Sequence, residues 1–137
     1  MSKNGITVIN RIAKPLVCYA QEDKIEIVLK NYITNAVAHC SGKKYIELNC
    51  IEKGNFLEIS VFNTGKPIAE HDFPELWDSF YRADKAHGRS ENRFGLGLSI
   101  VKSIMNNHAC RYGVRNVKNG VVFTFEVSKD SGYYDKK

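Results

Sequence analysis

Apolar positions recur along the chain with two alternating periods, and the changes of period divide it into elements. From Ile25 onward Val28, Leu29, Tyr32, Ile33, Ala36 and Val37 fall at the spacing of one face of an α-helix. Asp23 stands where a capping side chain belongs, with Glu26 three residues on, and Gly42 follows the last periodic position as a stop. Ile46, Leu48 and Cys50 then alternate with polar residues, as do Leu57, Ile59 and Val61, and Lys53-Gly54-Asn55 between them supplies turn chemistry. This predicts an antiparallel hairpin with one face buried. Ahead of the helix, Ile6 to Ile9 and Leu16 to Tyr19 read as short strands.

In the second half, Asp72-Phe73-Pro74-Glu75 has a capping Asp, an early Pro and an acidic residue three positions on, and it predicts a short helix through Leu76, Trp77, Phe80 and Tyr81. Arg82 to Arg93 is charged and without period, so it reads as an exposed, mobile loop suited to a lid. Ile100, Val101, Ile104 and Met105 return to helical spacing behind Gly95-Leu96-Gly97-Leu98. Tyr112 to Asn116 and Val121 to Val127 flank Lys118-Asn119-Gly120, and the Asn-Gly pair predicts a second hairpin. The elements assemble into an α/β (α+β) two-layer sandwich, a mostly antiparallel mixed sheet backed by about three helices.

Composition narrows this reading. The 137 residues are 43% hydrophobic, which suits one domain filling the chain, with a core over about 6–127 and a polar tail over 128–137. No apolar run approaches the roughly 18 residues of a membrane span, and Met1-Ser2-Lys3-Asn4 lacks the apolar stretch of a signal peptide, so a soluble, cytoplasmic domain is expected. The four cysteines, Cys18, Cys40, Cys50 and Cys110, form no pair with zinc spacing and read as reduced, half-buried thiols. The net charge of +5 comes from scattered bases not interleaved with aromatics, which argues against a nucleic-acid surface.

Three groups of residues carry candidate chemistry. Asn31, Asn35 and His39 lie one turn apart along the edge of the apolar stripe of the first helix. An amide oxygen is a neutral ligand suited to a magnesium ion that also holds phosphates, and the histidine offers a hydrogen bond to phosphate. An exposed or capping asparagine explains the same residues taken singly. Asn63-Thr64-Gly65 follows an apolar strand, where the Asn oxygen can accept from an adenine amino group and the glycine allows close approach; an ordinary turn explains it equally. Gly95 and Gly97 open an amphipathic helix, whose positive end and unobstructed backbone favour polyphosphate.

In this order the groups resemble the ATP-binding catalytic domain of sensor histidine kinases, with the Bergerat-type fold shared by gyrase, Hsp90 and MutL. Val28 to Cys40 is similar to the N box, Asn63 to Ile68 to the first glycine box, Leu76 to Arg82 to the F box, and Gly95 to Lys102 to the second glycine box. The resemblance implies ATP and Mg2+ as cofactors. It implies Asn35 as the magnesium ligand, Asn31 as support for the metal and its waters, and His39 facing the phosphates. Asn63 then reads the adenine amino group, with Gly65 and Ile68 at the ring. Phe80 anchors the lid, Arg82 and Lys85 touch phosphate, and Gly95, Leu96, Gly97 and Leu98 line the triphosphate.

Asn31 also separates branches of the superfamily. Its ATPases and serine kinases usually carry a glutamate there as general base, so the resemblance implies slow hydrolysis and phosphoryl transfer to a histidine on a separate dimerisation domain, with a response regulator downstream. None of His39, His71, His87 and His108 sits in the His-Glu/Asp setting, upstream on a long helix, that a phosphoacceptor requires, so the domain, expected to be a monomer, should not phosphorylate itself. Asn63 replaces the family's usual aspartate, Pro67 its second glycine, and Arg93 a further glycine. The Asn-Thr-Gly variant is similar to that of vancomycin-responsive sensor kinases. The same departures leave open a degenerate nucleotide-binding or protein-interaction module of this fold.

Overall fold

The amphipathic pattern centred on Tyr32 folds into the element that organises the molecule. The computed structural model describes residues 2–3, 5–12, 22–78 and 92–129, with backbone alone for 2–3 and 92–96. Helix α1 spans Glu22–His39 and buries Val28, Tyr32, Asn35 and Ala36. It starts one residue before the expected cap, so Asp23 lies inside the first turn, where its charge favours the helix dipole. Gly42, at φ +70, sits beyond the helix in the turn that leads to the next strand.

Among the described residues six strands form one sheet: β1 (Ser2–Lys3), β2 (Ile6–Asn10), β3 (Tyr45–Lys53), β4 (Phe56–Thr64), β5 (Tyr112–Val117) and β6 (Gly120–Ser128), in the order β1-β2-β3-β4-β6-β5. Only β2 and β3 run parallel, joined through α1, and the other neighbours are antiparallel. The sheet is therefore mixed and mostly antiparallel, and the α+β sandwich read from the pattern is the fold observed. Both predicted hairpins form, with two-residue loops at Gly54-Asn55 and Lys118-Asn119. The left-handed residue of the second loop is Asn119, at φ +70, and Gly120 already belongs to β6. Ser128, read as the start of the tail, is the fully buried last residue of β6, opposite Phe56.

Helix α2 (Asn92–Asn107) starts within the stretch read as loop, so Gly95 lies in its first turn and Gly97 in its second. Leu98, Val101 and Met105 turn into the core with Val61, Phe123 and Phe125. The expected short helix is instead two 3₁₀ turns, Glu70–Asp72 and Pro74–Trp77. Pro74 has no N–H with which to continue the bonds that close the first turn, and Asp78 is extended at ψ 147. Asp72 makes no capping bond, because the residue before Pro74 is Phe73. The predicted strand at Leu16 to Tyr19, the positions Phe80 and Tyr81, the loop over 82–91 and the tail from 130 lie outside the described residues. Cys40, Cys50 and Cys110 form no disulfide among the described residues. No described helix is long and apolar enough to cross a membrane.

Tyr32 ties the two layers together. Its ring packs at 5.4 Å from Phe123 and 5.8 Å from Phe125, and its hydroxyl donates to Thr124 O at 2.9 Å. Burial raises its pKa above the usual phenol value of 10.0. The unfolded chain then releases this proton above pH 10 while the folded chain keeps it, so stability falls as pH rises. Tyr32→Phe should cost about 1–2 kcal/mol at pH 7 and flatten the decline in stability above pH 10, as read from urea midpoints at both pH values. A second constraint is Gly120, where a Cβ would meet Asn63 O and, at 2.6 Å, the Phe62 ring. Gly120→Ala should lower stability by about 1–3 kcal/mol through this overpacking, measured by the same titration.

Candidate nucleotide-binding site

The C-terminal turn of α1, the end of β4 and the two 3₁₀ turns converge on a pocket of about 500 Å³. That volume is in the range of small-molecule sites. Its polar lining includes Asn35, His39, Ser41, Asn63 and Asp72, and its apolar lining includes Pro67, Ile68, Leu76, Val121 and Phe123.

Asn35 lies on the buried face of α1 because it follows Tyr32 by three residues. Its side chain is 4% exposed, and Oδ1 has no hydrogen-bond partner among the described residues. An amide oxygen left in this state costs about 1–3 kcal/mol, so a ligand that occupies it recovers a substantial energy. Among the described residues no three His, Cys, Asp or Glu side chains cluster to hold a metal by themselves. A magnesium ion held through Asn35 would therefore complete its shell with phosphate and water oxygens, which is how that ion is commonly bound.

Asn63 ends the inner face of β4 and is 3% exposed. Its Nδ2 donates to Thr64 O at 3.0 Å and to His39 O at 3.5 Å. Both neighbours are acceptors, which fixes the orientation of the amide and leaves Oδ1 as an acceptor with no partner among the described residues. The strand end is itself strapped to the turn that follows α1, since Ser41 N donates to Thr64 O at 2.9 Å. At Gly65 a Cβ would stand 2.8 Å from His39 O, so only glycine permits this approach. Gly65 N donates to Asn119 O at 3.0 Å, joining the turn to the second hairpin.

Ile68 lines the pocket, and both its N–H and its C=O are bonded by Asn116. The structure does not bring Asn31, Gly97 or Leu98 into the pocket lining. Asn31 Nδ2 donates to Ile27 O at 2.9 Å, and its Oδ1 lies 3.0 Å from where a Cβ on Gly97 would stand. Gly97 thus allows close approach of α2 to α1, and Leu98, one residue on, is 1% exposed in the core. Gly95 and Leu96 are in α2 by backbone, and Phe80, Arg82 and Lys85 lie outside the described residues. The sequence does not mark Asp72, Ser41 or Asn116 for this region: Asp72 reads as a helix cap, and nothing in the local pattern distinguishes the other two. Val121 and Phe123, by contrast, were recoverable from strand alternation.

Comparison with known proteins agrees with this geometry. Residues 20–131 match the family described as histidine kinase-, DNA gyrase B-, and HSP90-like ATPase. The chain is similar to the sensor protein IrlS of Burkholderia pseudomallei, 38% identical over 86 residues, which are 63% of this chain and 18% of IrlS. It is similar to the sensor histidine kinase YkoH of Bacillus subtilis, 32% identical over 118 residues, 85% of this chain and 26% of YkoH. The chain thus spans about a quarter or less of the length of these relatives. The catalytic domain of the histidine kinase ThkA superposes with a TM-score of 0.77 at 27% identity, over 92% of this chain and 80% of that domain. ThkA in complex with the response regulator protein TrrA superposes with a TM-score of 0.74 at 26% identity, over 92% of this chain and 35% of ThkA. With more than half of its length matched and the pocket in place, the chain belongs to the histidine kinase-, DNA gyrase B- and HSP90-like ATPase family, whose domains bind ATP.

Proposed function

We propose that the domain binds Mg-ATP and supplies the γ-phosphate for phosphorylation of a histidine on the dimerisation domain of the same kinase. The observation that carries this reading is the orphaned Asn35 Oδ1, buried at one side of a pocket that holds the free acceptor of Asn63 at another. Asn35 would hold the magnesium ion, whose chemistry is to neutralise charge on the phosphates. Asn63 Oδ1 would accept from the adenine amino group, with Ile68 and Val121 against the ring. His39 also lines the pocket and would face the phosphates. Asn31 contributes at the α1–α2 contact, and Gly95 and Gly97 at the helix that faces it; Phe80, Arg82 and Lys85 are assigned to the lid and phosphates by family resemblance.

Asn31 in the place of a general base supports transfer over hydrolysis, because no carboxylate stands one turn before Asn35 to activate water. The response regulator is proposed as the downstream partner on the likeness to ThkA, which has been solved with one. A nucleotide substrate supports a cytoplasmic location. The test is incubation with γ-labelled ATP and the histidine-bearing domain supplied in trans. The expected label on that domain is acid-labile and alkali-stable, as phosphohistidine is, with little phosphate released by this domain alone. Acid-stable label on serine or threonine, or rapid phosphate release by this domain alone, would contradict the proposal.

A further inference from the structure

The segment that walls the base-binding side of the pocket has lost its sheet neighbours. Pairing of β4 ends at Thr64, opposite Gly120, and residues 66–69 have no regular structure. Ile68 is nevertheless half-buried, so its peptide groups need partners. Asn116 provides both, accepting from Ile68 N–H on Oδ1 at 2.9 Å and donating from Nδ2 to Ile68 O at 2.8 Å. The side-chain amide takes the place of a missing strand.

The register explains why this residue can do so. Asn116 lies opposite Val121, Val121 opposite Asn63, and Asn63 opposite Ile46, so all four share one rung on the inner face. Directly opposed residues of antiparallel strands project to the same side. One rung therefore carries the acceptor for the base, the apolar floor beneath it and the clamp on the facing wall.

We infer that Asn116 is a positioning residue, and that nucleotide affinity depends on its two-sided grip on Ile68. The inference rests on the nucleotide reading of the pocket. A neutral amide offers a donor nitrogen beside an acceptor oxygen, and these match the two peptide groups. An ionised carboxylate offers only acceptors and turns one oxygen against Ile68 O. A protonated carboxyl restores one donor and one acceptor in nearly the same shape. Burial beside a carbonyl raises a carboxyl pKa, so that restoration falls in an accessible pH range.

The test compares ADP affinity of wild type, Asn116→Ala and Asn116→Asp at pH 8 and pH 5.5, well below their melting temperatures. Each variant is referred to wild type at the same pH. Asn116→Asp should bind ADP at least about tenfold more weakly at pH 8 and recover most of that loss at pH 5.5, whereas Asn116→Ala should be weakened to the same degree at both. A purely structural residue would lower the melting temperature and leave the affinity of the folded protein unchanged. Wild-type affinity in both variants overturns the inference and leaves the nucleotide reading intact; wild type that binds no ADP removes both. If neither variant folds, amide exchange in the wild type decides. Ile68 N–H should be protected in the nucleotide-free protein, and exchange at the rate of an unbonded loop amide overturns the clamp.

Discussion

The rotation of α1 about its own axis is the constraint on which the rest of the structure depends. Tyr32 fixes it, with its hydroxyl on Thr124 O and its ring between Phe123 and Phe125. Val28 and Ala36 complete the buried stripe, and an aliphatic side chain such as Val28 contributes about 1.5–3 kcal/mol when fully buried. The same rotation carries Asn35 inward, three residues after Tyr32, and leaves an amide oxygen buried without a partner among the described residues. A carbon side chain would pack there at lower cost. The apolar face of the helix thus supplies the energy that holds a polar group in an unfavourable place, and a buried unsatisfied group of this kind is what a ligand site needs.

Around that group the pocket is assembled from backbone approaches. Asn63 sits between two glycines. Gly65 lets the turn pass His39 O, and Gly120 lets β6 lie against the peptide of Asn63 and the Phe62 ring. Because Thr64 O and His39 O both face the Asn63 amide, its nitrogen is committed and its oxygen is presented. This gives a physical account of an asparagine where the family usually has an aspartate. Two carbonyls hold the amide with its oxygen presented, which is the orientation the proposed contact with an adenine amino group needs, at the expense of the charge.

The elements that a single period defines were legible in the sequence. Helix α1 and the two hairpins follow from spacing and turn residues, because each buries one continuous face. The two 3₁₀ turns were not, since Pro74 interrupts a pattern that otherwise reads as one helix. Gly95 and Gly97 marked α2 but not its start, which lies at Asn92. Leu98 and Gly97 were read as one phosphate-lining run, but adjacent helical residues differ by about 100° in direction, and one meets α1 while the other enters the core. Asn35 and Asn63 were legible through the order of the motifs. Asn116 was not, because its role depends on which strand lies two neighbours away from β4, and no local pattern encodes that.

The most direct test pairs a stability measurement with a binding measurement on Asn35→Ala. Calorimetric titration with ATP, with and without magnesium, should show saturable binding to the wild type that magnesium strengthens. The variant should lose the magnesium dependence while melting no lower than the wild type, because the substitution removes a buried oxygen that has no partner among the described residues. Magnesium-dependent ATP binding that survives intact in Asn35→Ala would contradict the account, as would a wild type that binds no nucleotide at millimolar concentration.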